Sequence, residues 1–139
     1  MRLMGLDFGA HTVGVAISDA TGTIATAREI IRRERESALR ETVRRIESLA
    51  REEEIGRIVL GLPLHMDGSM SERAEKTIRF REMLEKRLTV PIEMQDELLT
   101  SVEAEEILRM RSIPKKEWKE EIDSLAAEII LQDYINSHG

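Results

Sequence analysis

The hydrophobic period changes once along this chain, near residue 37, and that change limits the folds open to it. Before it, Leu3 to Asp7, Val13 to Ser18 and Thr23 to Ile31 read as three short strands. They are separated by the turn-forming stretches Phe8-Gly9-Ala10-His11-Thr12 and Asp19-Ala20-Thr21-Gly22. Strands joined this tightly form an antiparallel meander. After it, Leu39, Val43, Ile46 and Ala50 recur at spacings of four, three and four, the buried stripe of a helix. Arg57 to Gly61 then reads as a buried strand, and Ser69-Met70-Ser71-Glu72 offers a capping box for a helix running to about Arg87. Val90 to Gln95 reads as a further strand, and Val102 to about Met110 as a short helix. Pro114 breaks the helical pattern, and a closing helix runs from about Glu120 to Ile135. A meander followed by right-handed crossovers predicts an α/β domain. Its mixed five-stranded sheet has three antiparallel strands, then two parallel ones, with helices on its faces.

Length allows one core and no more, so residues 1–139 are read as a single domain. Apolar residues at 41% suffice for that core, and the 35% of charged residues are interleaved with them rather than blocked. With no cysteine there is no disulfide framework and no thiolate metal site. His11, His65 and His138 show no ligand spacing. No apolar run reaches the length of a membrane span, and Asp7 interrupts the N-terminal run too early for a signal peptide. The expectation is a cytoplasmic protein with no membrane partner. A net charge of −6 argues against binding nucleic acid through bulk charge, which leaves bound cations and local basic clusters to supply any attraction.

Four acids stand where chemistry is plausible, each with an ordinary structural alternative. Asp7 ends the first strand just ahead of Gly9; a carboxylate there either caps its own turn or is paired or metal-bound. Asp96 and Glu97 close the last strand, and alternation separates them. Asp96 shares a face with Val90, Ile92 and Met94, and Glu97 shares one with Glu93 and Gln95. Both could equally be solvated acids ahead of a helix. Asp123 leads a helical stripe with Ala126, Ala127, Ile130 and Tyr134, where the two small alanines permit close approach to the sheet. A first-turn acid favoured by the helix dipole is the alternative there. The segment from Gly61 through Pro63 to Gly68 leaves a strand and enters a helix, which makes it either a phosphate seat or a simple turn. Arg32-Arg33 and Lys115-Lys116 are short basic runs that either meet phosphates or face solvent.

Taken in order, these segments resemble one family. Gly5-Leu6-Asp7-Phe8-Gly9 with Gly14-Val15-Ala16-Ile17-Ser18-Asp19 resembles the opening of the YqgF family, described as Holliday junction resolvases or as nucleases maturing the small-subunit ribosomal RNA precursor. Gly61-Leu62-Pro63-Leu64 with Met66-Asp67-Gly68 is similar to its second motif, and Asp96-Glu97-x-Leu99-Thr100 with Val102-Glu103-Ala104 to its third. Ile122-Asp123-x-Leu125-Ala126-Ala127 and Leu131-Gln132 resemble its fourth. The resemblance implies a ribonuclease H-like fold with Asp7, Glu97 and Asp123 as an acidic triad for Mg²⁺ or Mn²⁺, and Asp96 as a helper. Gly9, Gly61, Pro63, Gly68, Lys115 and Lys116 are the candidate substrate-binding residues. Paired hard cations about 4 Å apart on carboxylates activate water and neutralise the leaving oxygen in phosphodiester hydrolysis. The chain departs from the pattern at His11-Thr12, where the family has Lys-Arg, and at Leu98, where it has Arg.

The expected activity is metal-dependent cleavage at the 5′ end of precursor 16S ribosomal RNA. The partners would be an RNA precursor or branched DNA, with a ribosomal particle as a further partner, and the protein would be a monomer or weak homodimer. A DNA junction resolvase is the alternative within the same chemistry. Two other readings come from different classes. A non-catalytic nucleic-acid-binding module is suggested by the missing cations. An actin-like or sugar-kinase-like ATPase shares the Asp7-x-Gly9 pattern, but it needs two lobes.

Overall fold

In the computed structural model the described residues are 1–64, 67–97 and 101–138, with residues 101–104 and 123 described by their backbone alone. Strand β1 (Arg2–Phe8) pairs antiparallel with β2 (Thr12–Ser18), Met4 opposite Ile17 and Asp7 opposite Gly14. On the far side of β2 lies β3 (Ala25–Arg32), also antiparallel. On the other flank of β1, β4 (Ile55–Leu62) runs parallel to it with Leu6 beside Leu60, and β5 (Ile92–Asp96) runs parallel to β4. The five-stranded order is therefore β3-β2-β1-β4-β5, a mixed sheet of three antiparallel strands and two parallel ones as the sequence predicts.

Helix α1 (Arg40–Glu52) links β3 to β4 and α2 (Glu72–Arg87) links β4 to β5. Alternation along the strands sorts their side chains into two layers. Met4, Leu6, Phe8, Ile58 and Leu60 meet Val43, Ile46 and Leu49 of α1 and Phe80 and Leu84 of α2. Leu3, Ala16, Ala25 and Val59 face the other way, onto Ala127, Ile130, Leu131, Tyr134 and Ile135 of α4 (Trp118–His138). The short α3 (Ser101–Met110) and a 3-10 turn over Lys115–Glu117 pack outside α4 through Leu108, Leu125 and Trp118.

Two local features differ from the sequence reading. Helix α2 opens on Ser71, not on a Ser69–Glu72 box. The Ser71 hydroxyl accepts from the Ala74 N–H at 2.9 Å and donates to the Pro63 carbonyl at 2.6 Å. Ser69 is already engaged by Asp67, whose Oδ1 accepts from both its N–H and its hydroxyl. Helix α4 is also longer than the expected 120–135, because Trp118 anchors its first turn by donating to the Ile113 carbonyl. Among the described residues no helix is long and apolar enough to cross a membrane.

Candidate active site

The carboxyl-terminal edge of the parallel strands carries the acids. Asp7 is the last residue but one of β1, and its side chain lies on the α4 side, because its neighbours Leu6 and Phe8 point into the α1–α2 layer. Glu97 follows β5 directly, held by its N–H donating to the Leu62 carbonyl at 2.9 Å. Alternation puts it on the same side as Glu93, whose carboxylate accepts from the Tyr134 hydroxyl of α4 at 2.6 Å. Asp96 is exposed on the other face, so of the two consecutive acids Glu97 is the one that meets Asp7.

Strand β4 lies between β1 and β5, so the Glu97 side chain must cross it to reach Asp7. Gly61 makes this possible. A Cβ at that position would stand 3.3 Å from Glu97 Oε2 and 2.5 Å from Ile130 Cδ1, so a side chain there would press on both the acid and α4. The two carboxyl groups share a hydrogen bond, which requires a proton on one of them. Burial, then the Asp7 charge, then that bond push the Glu97 pKa from an ordinary 4.5 to about 8. The donors of the pair are hard oxygens, of the kind suited to Mg²⁺ or Mn²⁺.

Helix α4 runs against the strand direction, with Tyr134 beside Arg57 at the start of β4 and Ala127 over Gly5. A Cβ on Gly5 would lie 2.7 Å from Leu131 Cβ and 3.0 Å from the Ala127 carbonyl oxygen, so the helix rests directly on the β1 backbone. Residue 123 is one turn before Ala127, about 6 Å nearer the strand ends. Asp7 lies two residues beyond Gly5, about 7 Å in the same direction. The backbone of α4 thus brings position 123 level with Asp7, while the Asp123 carboxylate lies outside the described residues. Among the described residues no cluster of three or more His, Cys, Asp or Glu forms a metal site; the described part of this one is the Asp7–Glu97 pair.

The remaining candidates have mixed placements. Gly9 closes the turn after Asp7, its N–H donating to the Thr12 carbonyl at 2.8 Å, and its own carbonyl accepts from Arg33 Nη2 at 2.6 Å. Arg33 thus puts a cation at the turn that lacks Lys-Arg at positions 11 and 12. Pro63 receives the Ser71 hydroxyl, and Gly68 turns the following loop at φ +83°. Lys115 and Lys116 are exposed in the 3-10 turn ahead of α4. Leu98 lies outside the described residues. Asp19, part of the first motif, sits at the opposite end of the sheet. It accepts from the Thr23 and Ile24 N–H groups and the Thr21 and Thr23 hydroxyls, which hold its pKa well below the usual carboxylate range.

Comparison with known proteins gives the family. The family model for RuvX, described as Holliday junction resolvase, matches residues 1–137. The chain belongs to that family. A relative from Thermoanaerobacter pseudethanolicus, provisionally named a pre-16S rRNA nuclease, is 44% identical over 99% of this chain and 97% of its own length. One from Lactiplantibacillus plantarum with the same provisional name is 45% identical over 100% of this chain and 96% of its own length. Among solved structures, Thermus thermophilus RuvC aligns with a TM-score of 0.56 at 12% identity, covering 99% of this chain and 95% of that one. The fowlpox virus Holliday junction resolvase aligns at 0.58 and 15% identity, covering 99% of each. At that identity the likeness is one of fold, and it bears out the ribonuclease H-like expectation.

Proposed function

We propose that this protein is a metal-dependent nuclease acting at the 5′ end of precursor 16S ribosomal RNA. The observation that carries the reading is the partly buried Asp7–Glu97 pair, hydrogen-bonded to each other across Gly61 at the strand ends. Two acids held this close are unfavourable in an apolar setting unless something positive joins them. Asp7 and Glu97, with Asp123 from α4, would hold Mg²⁺ or Mn²⁺. When bound, such ions supply an activated water and neutralise charge on the leaving oxygen. Glu97 would hold the ion as a carboxylate, and Gly61 keeps the space through which its side chain reaches Asp7. Gly9 and the Arg33 that grips its carbonyl fix the turn beside Asp7. Pro63, Gly68, Lys115 and Lys116 are assigned to the substrate strand around this edge.

The choice of RNA follows the full-length relatives named for pre-16S rRNA. The second reading, DNA junction cleavage, is favoured by the family model's description and by the fold shared with RuvC. Presenting a precursor 16S end and a four-way DNA junction to the purified protein with Mg²⁺ separates them. The expected result is trimming of the RNA, abolished by Asp7→Asn. Cleavage of the junction alone would transfer the assignment to DNA, and undiminished cleavage by Asp7→Asn would remove Asp7 from the mechanism. The protein is assigned to the cytoplasm, as a monomer or weak homodimer working with a ribosomal particle.

A further inference from the structure

On the opposite side of the same sheet edge lies a cavity of about 430 Å³, lined by Phe8, Leu39, Arg73, Lys76, Phe80 and Met83, among others. Its floor is aromatic. Phe8 and Phe80 stack with centroids 4.1 Å apart and planes 7° from parallel. Two guanidinium groups crowd the Phe8 ring, Arg33 at 5.0 Å and Arg73 at 4.7 Å from its centroid. Arg79 adds another cation to the lining, and the acid lining the cavity is Glu36. That carboxylate is already shared between Arg73 at 3.0 Å and Lys76 at 2.8 Å.

The cationic groups are incompletely satisfied. Among the described residues, Arg73 Nε and Nη2 and Arg33 Nη1 are buried without a hydrogen-bond partner. Each is a donor on a charged group that forgoes a charge-assisted hydrogen bond. The proximity of Arg73 also lowers the Arg33 pKa, behind the larger effect of burial. An acceptor with several oxygens would relieve both conditions, and an apolar floor beside it suits a base or sugar. In a chain of net charge −6, such a pocket is a local exception.

Its position ties it to the carboxylates. Phe8 follows Asp7 in β1, and consecutive strand residues point to opposite faces. We propose that this pocket is a second substrate subsite, seating a phosphate and its nucleotide from the strand whose scissile bond lies at Asp7 and Glu97. The inference rests on the nuclease reading. It makes the strand wrap the end of the sheet, with Gly9 and Arg33 at the crossing.

The test is a salt titration of binding, in EDTA, between the protein and a short labelled oligouridylate. Each lost phosphate contact flattens the slope of log K against log salt by about 0.7. Arg79→Ala should flatten it by about 0.7 and Arg73→Ala/Arg79→Ala by about 1.4. The double variant should also bind about tenfold more weakly at moderate salt. Arg79 is exposed, so its single variant decides the matter if melting curves show the double variant unfolded. Asp7→Asn should lose cleavage without flattening the slope. A parental slope in Arg79→Ala overturns the subsite, even if Asp7→Asn is inactive. Undiminished cleavage by Asp7→Asn would remove Asp7 from the mechanism while a flattened Arg79→Ala slope upheld the pocket, and a parent that cleaves neither substrate with Mg²⁺ would overturn the nuclease reading. Saturation by adenosine monophosphate that leaves oligouridylate binding intact would make the pocket a small-ligand site, and would also overturn the proposal.

Discussion

Replacing Glu97 with Gln isolates the electrostatic condition of the metal-free site. The amide keeps the shape of the acid and can still donate to Asp7, so packing against Gly61 and Ile130 should survive. In the parent, the folded state raises the Glu97 pKa from 4.5 to about 8, so it binds that proton more tightly than the unfolded chain does. Stability from this group is complete below about pH 4.5 and declines as pH rises to about 8. Each tenfold change in proton affinity is worth about 1.4 kcal/mol, which puts the ceiling of the effect near 5 kcal/mol. Solvent access and relaxation around a half-buried group cut this by about half, leaving about 2–3 kcal/mol at pH 9 and about 0.5 kcal/mol or less at pH 5. Urea unfolding followed by circular dichroism in EDTA at both pH values measures the difference. Glu97→Gln should be the more stable protein at pH 9, and the two should converge at pH 5. Equal stability at both values would show that Glu97 is ionised at ordinary carboxylate pH, and the shared proton would be refuted.

Other variants test the scaffold. Gly5→Ala should destabilise by about 1–3 kcal/mol, because its methyl meets the Ala127 carbonyl and Leu131 Cβ of α4. Cleavage should fall further than the folded fraction, since the helix bearing position 123 must shift, and a melt paired with an activity assay reads both. Tyr134→Phe leaves Arg57 and Glu93 without their shared hydroxyl and should cost about 1–2 kcal/mol with little change in cleavage, because that contact lies at the far end of the sheet. Asp19→Asn should weaken the β2–β3 turn at neutral pH, and the parent's advantage should disappear as acid protonates Asp19, as parallel acid titrations of both proteins would record.

Much of the fold was legible because its signals are local. The change from period two to period 3.6 near residue 37 implies a meander followed by crossovers, hence a mixed sheet with helices on its faces. Alternation separates Asp96 from Glu97, and it is the family resemblance that implies Glu97 for the triad, the acid that meets Asp7. Gly61 was read as part of a phosphate loop, but its principal effect is to let Glu97 reach across β4, a consequence of inter-strand register that a single sequence does not display. The helix start at Ser71 was missed because two serines compete for the cap, and Asp67 settles it by taking Ser69. Of the cations around Phe8, Arg33 stands in the Arg32-Arg33 run that the sequence offers to phosphates, whereas Arg73 is not singled out there. Arg73, Lys76, Phe80 and Met83 recur at helical spacing along α2, a signal that was present in the sequence. Their meeting with Arg33 depends on the approach of the β3–α1 connection, which is a tertiary event.

The central claim is that the Asp7–Glu97 proton marks the seat of a divalent ion. Anomalous scattering from crystals grown with Mn²⁺ tests it most directly. The expected result is a peak within coordination distance of carboxylate oxygens of both Asp7 and Glu97, with their direct hydrogen bond gone. Crystals in which Mn²⁺ sits elsewhere while Asp7 and Glu97 remain bonded to each other would contradict it.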